Sequence, residues 1–263
     1  MKKIVIAASL LGLGMATASA ADLPSRTVPA PYIAVPAYYD WTGIYGGVSA
    51  GAAFGRMNAL DITPPAGGFF TPLVPAGTAG FGFNNTSYAL GLHLGGQYQW
   101  QNFVLGLEAG YQFTDLKQTI VSPYFPASDT ESAKIKDLYT VVGRIGYAFD
   151  RFLVYGKAGY AGGSSTFTAI DSVAGVIYTQ KGNHSGYVVG AGVDYAITNN
   201  WIAGLDYSHM ELGSKSGSGP NVFFAGGIGA NPEVYRVKAT VDTISARLSY
   251  KFGGPAGAVV AKY

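Results

Sequence analysis

The chain has 263 residues, with 38 glycines, 19 tyrosines, no cysteine, 12% charged residues and a formal net charge of +2 at pH 7. That balance excludes nucleic-acid binding through a basic surface and excludes a disordered chain. The lack of cysteine removes disulfides, thiolate metal sites and cysteine nucleophiles together, so the fold must be held by backbone pairing and packing.

Residues 1–20 read as a secretory signal peptide. Lys2 and Lys3 precede an apolar stretch from Ile4 to Met15, and Ala18 and Ala20 flank Ser19, which places cleavage after Ala20. The alternative, a membrane anchor, needs a longer apolar run to cross about 30 Å of hydrocarbon. An exported chain without a membrane helix is either soluble or a barrel. Residues 21–40 carry Pro24, Pro29, Pro31 and Pro36 with little charge, which predicts an extended, Pro-rich periplasmic tether.

From Trp41 a period of two takes over. In the first strand Ile44, Val48, Ala50, Ala52 and Phe54 share one face, with Tyr45, Gly47, Ser49 and Gly51 opposite. The second sets Tyr88, Leu90, Leu92, Leu94, Tyr98 and Trp100 against Gly91, His93, Gly95, Gln97 and Gln99. Gln101 and Asn102 turn the chain into a third strand with Phe103, Leu105, Leu107, Ala109, Tyr111 and Phe113 apolar and Gly106, Glu108, Gly110 and Gln112 opposite. A fourth sets Tyr139, Val141, Ile145, Tyr147 and Phe149 against Thr140, Arg144 and Gly146. After Asp150 and Arg151, the fifth sets Phe152, Val154, Ala158 and Tyr160 against Tyr155, Lys157 and Gly159.

Gly186 to Tyr207 is the clearest hairpin. Tyr187, Val189, Ala191, Val193, Tyr195 and Ile197 face away from Gly190, Gly192, Asp194 and Ala196; Thr198 to Asn200 turn the chain; Trp201, Ala203, Leu205 and Tyr207 repeat the apolar face, with Gly204, Asp206 and Ser208 opposite. Ile244, Ala246, Leu248, Tyr250 and Phe252 against Ser245, Arg247, Ser249 and Lys251 complete eight strands. Strands of about 10 residues with a lipid-facing apolar side and a polar, glycine-rich inner side belong to membrane barrels.

The connections alternate. Short turns follow the second, fourth and sixth strands, and long segments around 55–86, 115–136, 162–184 and 209–241, rich in Gly, Pro, Ser and Asn, follow the others. The pattern predicts an all-β, eight-stranded antiparallel transmembrane up-and-down barrel over residues 41–252, with four long extracellular loops and a C-terminal tail at 253–263. A soluble lipocalin-like barrel is the alternative, and its outer face would be polar. Trp41, Trp100, Phe103, Phe149, Phe152, Trp201 and Phe252 cluster on the short-turn rim and are expected to form the inner interfacial girdle, where one ring edge stays wet.

The chain resembles the small outer-membrane immunogenic or porin-like eight-stranded barrels of alphaproteobacteria. The likeness lies in residues 21–24 (Ala-Asp-Leu-Pro), residues 41–47 (Trp-Thr-Gly-Ile-Tyr-Gly-Gly), residues 143–149 (Gly-Arg-Ile-Gly-Tyr-Ala-Phe), residues 190–196 (Gly-Ala-Gly-Val-Asp-Tyr-Ala), Asn200-Trp201, and residues 248–252 (Leu-Ser-Tyr-Lys-Phe). It covers nearly all of the mature chain. It implies an outer-membrane surface protein of Gram-negative bacteria with structural and antigenic roles, some relatives being described as porins or haem binders. It also implies that the barrel-assembly machinery reads a terminal aromatic. Phe252 fits that role better than Tyr263, because Tyr250, Leu248 and Ala246 alternate behind it.

Glu108, Arg144, Lys157, Asp206 and Arg247 each stand five residues from a short-turn aromatic and face inward, with Asp194 two residues nearer the rim. On strands tilted near 40° that is one layer about 13 Å up. Pairing of Glu108 with Arg144, Lys157 with Asp194 and Asp206 with Arg247 is expected to plug a lumen just wide enough for side chains. The alternative is a proton or ion path through the layer.

No catalytic, cofactor or metal site is expected. His93 faces inward at mid-strand, but no serine or acid stands at a spacing that fixes a triad. His184-Ser185 and Ser208-His209 lie at strand borders, the three histidines are scattered, and Gly190-Ala191-Gly192 follows strand parity with no helix after it. Three functions remain: a plugged structural and antigenic surface barrel; a narrow porin-like diffusion channel; or a receptor for haem or host surface ligands through its loops. Phe69, Phe70, Phe81, Phe83, Phe125, Phe223 and Phe224, read as loop aromatics, motivate the third. Outer-membrane lipid and the assembly machinery are the expected partners, and nucleic acid is not.

Overall fold

The computed structural model describes residues 38–62, 77, 80–219, 221–223, 225–228 and 233–252. The segments expected as signal peptide (1–20) and tether (up to residue 37), the expected tail at 253–263, and Phe69, Phe70 and Phe224 lie outside the described residues. The strands are β1 (Gly43–Asp61), β2 (Gly80–Trp100), β3 (Phe103–Phe113), β4 (Leu116–Val121), β5 (Asp129–Phe149), β6 (Phe152–Asp171), β7 (Val176–Ala196), β8 (Trp201–Gly219), β9 (Asn221–Phe223) and β10 (Glu233–Phe252).

Pairing runs β3-β2-β1-β10-β8-β7-β6-β5, and β3 pairs back with β5, so eight antiparallel strands close a ring. A sheet closed this way has no edge, as a structure surrounded by lipid requires. β4 carries the line of β3 onward along β5 after a break at Thr114–Asp115, and β9 adds a short pairing to β7. The first and last strands of the ring meet where Ile44 pairs with Phe252. The inner turns are tight, and Gln101 and Asp150, each first in a two-residue turn, adopt φ 55°.

The strands are longer than the sequence pattern predicts. β1 has 19 residues and β2 has 21, about twice what a membrane crossing uses. Most of the four segments expected as solvated loops are therefore paired strand. The reason is an inversion of phase. Up to Phe54, β1 turns apolar residues outward; beyond it Arg56 and Asn58 face out while Met57 and Ala59 are buried inside. β10 does the same, with Arg236 and Lys238 outward and Tyr235, Val237, Ala239 and Val241 inward. Where the outer face meets lipid it is apolar; where it meets water the apolar residues move to the interior.

In β5 and β8 the inversion comes with irregularities in register. β5 breaks register with β6 between Lys136 and Tyr139, where Asp137 takes φ 56°, and inward parity passes from odd to even numbers. β8 breaks register with β10 opposite Lys238–Thr240, beside Gly213 at φ 67°. An extra residue on one strand re-aims every side chain after it.

Candidate functional site

The lumen holds four levels, starting at the short-turn end. The first is a floor. Trp41 was expected in the outward girdle; instead it is 0% exposed, whereas Trp100 is 64% exposed. The chain turns inward ahead of Gly43, which takes φ 146°. Trp41 then packs beneath Val104, Ala148, Leu153, Ala196 and Ile202, and its indole N–H donates to the Asp150 carbonyl at 2.9 Å. Gln97 donates its side-chain amide to the Trp41 carbonyl at 2.9 Å. Tyr39 meets Trp41 edge to face at 4.9 Å, and the Lys251 ammonium sits 4.3 Å from its ring centre. Trp100, Phe103, Phe149, Phe152, Trp201 and Phe252 do face outward at the inner rim.

The second level brings Glu108, Arg144, Lys157, Asp194, Asp206 and Arg247 together, all with buried side chains. Two of the three expected neighbour pairs form, Glu108 with Arg144 and Asp206 with Arg247, and the third does not. Arg144 bridges Asp194 at 2.6 Å and Glu108 at 3.1 Å. Arg247 reaches Glu108 at 2.5 Å and Asp206 at 3.7 Å, and Lys157 bonds Asp206, not Asp194, at 2.6 Å. Glu108 on β3 and Arg247 on β10 are separated in the ring by β1 and β2, so the network crosses the lumen. In an interior this narrow, long side chains reach across the lumen as well as along its wall.

Two tyrosines complete the level. Tyr45 donates to Glu108 at 2.8 Å and accepts from Arg144. Tyr155 donates to Asp206 at 2.8 Å, and its ring lies 3.8 Å beneath the Arg144 guanidinium. Both stand on the small, polar parity of their strands, which is the signal that marks them in the sequence. Gly192 makes room for Tyr155: a Cβ there would run into the phenol oxygen.

The third level is a polar cavity of ≈ 30 Å³, lined by Ser49, His93, Gln112, Thr140, Ser208 and Ser245 above the charges. That is room for about two waters. His93 Nε2 lies 2.7 Å from Ser249 Oγ, a pairing invisible in sequence spacing. No carboxylate bonds the other ring nitrogen among the described residues, so no triad is assembled.

The fourth level is apolar and lies in the strand extensions. Phe81 from β2, Phe167 from β6, Tyr178 from β7 and Tyr235 from β10 meet across the lumen, with Phe167 and Tyr235 centred 4.8 Å apart and Tyr178 and Tyr235 5.1 Å apart. Phe83 joins at 6.2 Å from Phe167. Phe81 and Phe83, expected as exposed loop aromatics, are thus core residues, and Phe125 is partly buried against the same cluster; Phe223 is exposed. Met57, Leu116, Ile135, Leu138 and Leu212 fill the space around the rings.

At the outer end Glu131, on the inner side of β5, is 1% exposed near Ser122, where Tyr124 and Phe125 pack against the core. Burial, reinforced by Asp129, pushes its carboxyl up to about 7. The folded value lies above the unfolded one, so the folded state increasingly resists ionisation as pH rises from about 4.5. Stability of the outer end falls through that window and is level above pH 7. Glu131→Gln is expected to match the parent in thermal melts at pH 4 and to melt higher at pH 8; equal melts at pH 8 would count against the buried acid.

Among the described residues no cluster of three His, Cys, Asp or Glu side chains is placed to hold a metal. His209 and Tyr207 both bond Asp242 on the outer face, at 2.7 Å and 2.8 Å. His184 is buried inside the extension, where desolvation holds its imidazole below the usual range.

A closed antiparallel ring with a lipid-suited outer band and a side-chain-filled interior is the architecture of an outer-membrane β-barrel. Residues 7–252 match the outer membrane protein beta-barrel domain, and the chain belongs to that family. It is 28% identical over 272 residues to the 31 kDa outer-membrane immunogenic protein of Brucella melitensis, covering 95% of this chain and 100% of that one. It is 29% identical over 141 residues to the 22 kDa outer membrane protein of Rhizobium leguminosarum, covering 51% and 58%. Among solved structures, the fold is similar to the outer membrane protease OmpT of Escherichia coli, with TM-score 0.53, 13% identity, and coverage of 80% of this chain and 97% of that one. The family and the two relatives carry the names of outer-membrane proteins in Gram-negative bacteria, and this chain is one of them.

Proposed function

We propose that the protein is a non-conducting surface barrel with a structural and antigenic role. The observation that supports this most is that the lumen is filled at several heights, by the Trp41 floor, by the six-charge layer and by the aromatic cluster. An eight-stranded barrel packed in this way has no continuous water path for a solute. The strand extensions turn Arg56, Asn58, Arg236 and Lys238 to the surrounding water, a rigid polar surface suited to recognition from outside. The immunogenic role named for the Brucella relative accords with that surface.

The haem or host-ligand reading loses much of its motive with Phe81 and Phe83 buried. Phe252, facing lipid in the last strand and paired with Ile44, is the residue we assign to recognition by the assembly machinery. Reconstituted in a planar bilayer, the unmodified protein is expected to give no stable steps of porin size. Regular open steps from the monomer would replace this reading with the diffusion channel.

A further inference from the structure

The outer surface of the extension is electrostatically uneven. On the β8–β10 side most charges are matched: Lys238 bonds Glu211 at 2.8 Å and Asp242 bonds His209 at 2.7 Å, while Arg236 has no ion-pair partner among the described residues. On the β4–β7 side they are not. The β4–β5 register sets Lys117 directly opposite Lys134, and like charges in that position are destabilising. The row continues through Thr166, the β6 partner of Lys134, to Lys181, the β7 partner of Thr166. One step below, Lys136 pairs with Ser164, and Ser164 with Asn183.

Asp115 bonds Lys134 at 2.6 Å. That bond, together with the charges of Lys136 and Lys117, holds its carboxyl below the usual range. Among the described residues, Lys117, Lys136 and Lys181 have no ion-pair partner. The face thus presents ammonium groups in a row, with the hydroxyls of Ser164, Thr166, Thr119 and Ser132 and the amide of Asn183 beside them.

Height identifies the anion that fits. Ser164 and Thr166 stand four and six residues beyond Tyr160, whose exposed ring is on the membrane side. At about 3.3 Å per residue and a tilt near 40°, the row lies about 10 to 15 Å above the aromatic rings. A plain phospholipid headgroup layer is only about 5 to 8 Å deep on each side. A phosphate carried on a saccharide headgroup reaches the row, and the interleaved hydroxyls and amide suit sugar hydroxyls. We propose that Lys117, Lys134, Lys136 and Lys181 form a binding face for the phosphorylated saccharide headgroup of an outer-leaflet glycolipid.

The test is native mass spectrometry of the folded protein in neutral detergent, titrated with a glycolipid that carries phosphate on saccharide units beyond its acylated sugars. Its dephosphorylated form, phosphatidylglycerol and inorganic phosphate serve as the other probes. Replacing all four lysines by glutamine is expected to weaken binding of the phosphorylated glycolipid at least about tenfold, since each ammonium removed takes away an attraction to the anionic headgroup. Dephosphorylating the lipid is expected to weaken it similarly, and the four-arginine variant and Lys238→Gln to retain it. Should the glutamine variant fail to fold, Lys136→Gln with Lys181→Gln, which breaks no ion pair, is expected to show a smaller loss in the same direction. Undiminished binding by the folded variants would overturn the proposal. So would phosphatidylglycerol or inorganic phosphate binding the parent as tightly as the glycolipid.

Discussion

Arg144→Ala is expected to be among the most destabilising single changes in the barrel, at about 3 to 5 kcal/mol, because it strands a buried carboxylate. Arg144 bridges Asp194 at 2.6 Å and Glu108 at 3.1 Å and stacks 3.8 Å over Tyr155. Glu108 keeps Arg247 at 2.5 Å when Arg144 is gone, but Asp194 makes no other ion pair among the described residues. The penalty therefore concentrates on Asp194. Arg144→Met combined with Asp194→Leu removes both charges and is expected to be more stable than Arg144→Ala alone, since a buried pair gains little over apolar packing once both members are absent. Denaturant unfolding in detergent, read by the loss of heat-modifiable migration, measures each. A single variant as stable as the parent would show that Asp194 is solvated, and the layer would then not be a dry plug.

The sequence carried the membrane half of the fold because lipid imposes a strict rule: every second residue from Ile44 to Phe54, Tyr88 to Trp100 or Ile244 to Phe252 has to tolerate hydrocarbon. Past Phe54 the rule does not lapse; it inverts. Met57 and Ala59 continue the alternation on the other face, as do Phe81 and Phe83 before Tyr88. Read only for an outward apolar face, these stretches look like loops, and their glycine and serine content strengthens the impression. The register breaks near Asp137 and Gly213 hide the continuity further, since a residue inserted in one strand shifts parity without any mark in composition.

Membership of the charge layer is readable from parity and height, and so are the neighbour contacts of Glu108 with Arg144 and Asp206 with Arg247, but the bonds that cross the lumen are not. Parity says which side chains enter the lumen; which of them touch depends on how far a guanidinium reaches across a narrow ring, and Glu108 meeting Arg247 from three strands away is a consequence of closure. Trp41 is the opposite case. A rim tryptophan at a strand start reads the same whether it faces lipid or folds under the barrel. The deciding feature is the backbone at Gly43, whose φ of 146° is open to glycine and strained for other residues.

Phe167→Ala is the counterpart of Arg144→Ala in the extension, with an expected cost of about 3 to 5 kcal/mol for emptying a packed aromatic site. The Phe167 ring stands 4.8 Å from Tyr235, 6.2 Å from Phe83 and 6.3 Å from Phe81, so its removal hollows the centre of the cluster. It lies ten residues along β6 from Lys157, about 33 Å of strand from the charge layer. At that separation the two changes are expected to add within about 0.5 kcal/mol in the double variant. Conductance is expected to behave differently from stability, because closures in series act as a product. With the aromatic cluster intact Arg144→Ala stays silent in a planar bilayer, and with the charge layer intact so does Phe167→Ala. Steps are expected when both are combined with Trp41→Ala, which removes the floor. Conductance from either single variant would show that the remaining levels do not seal, and would reduce the lumen to one barrier.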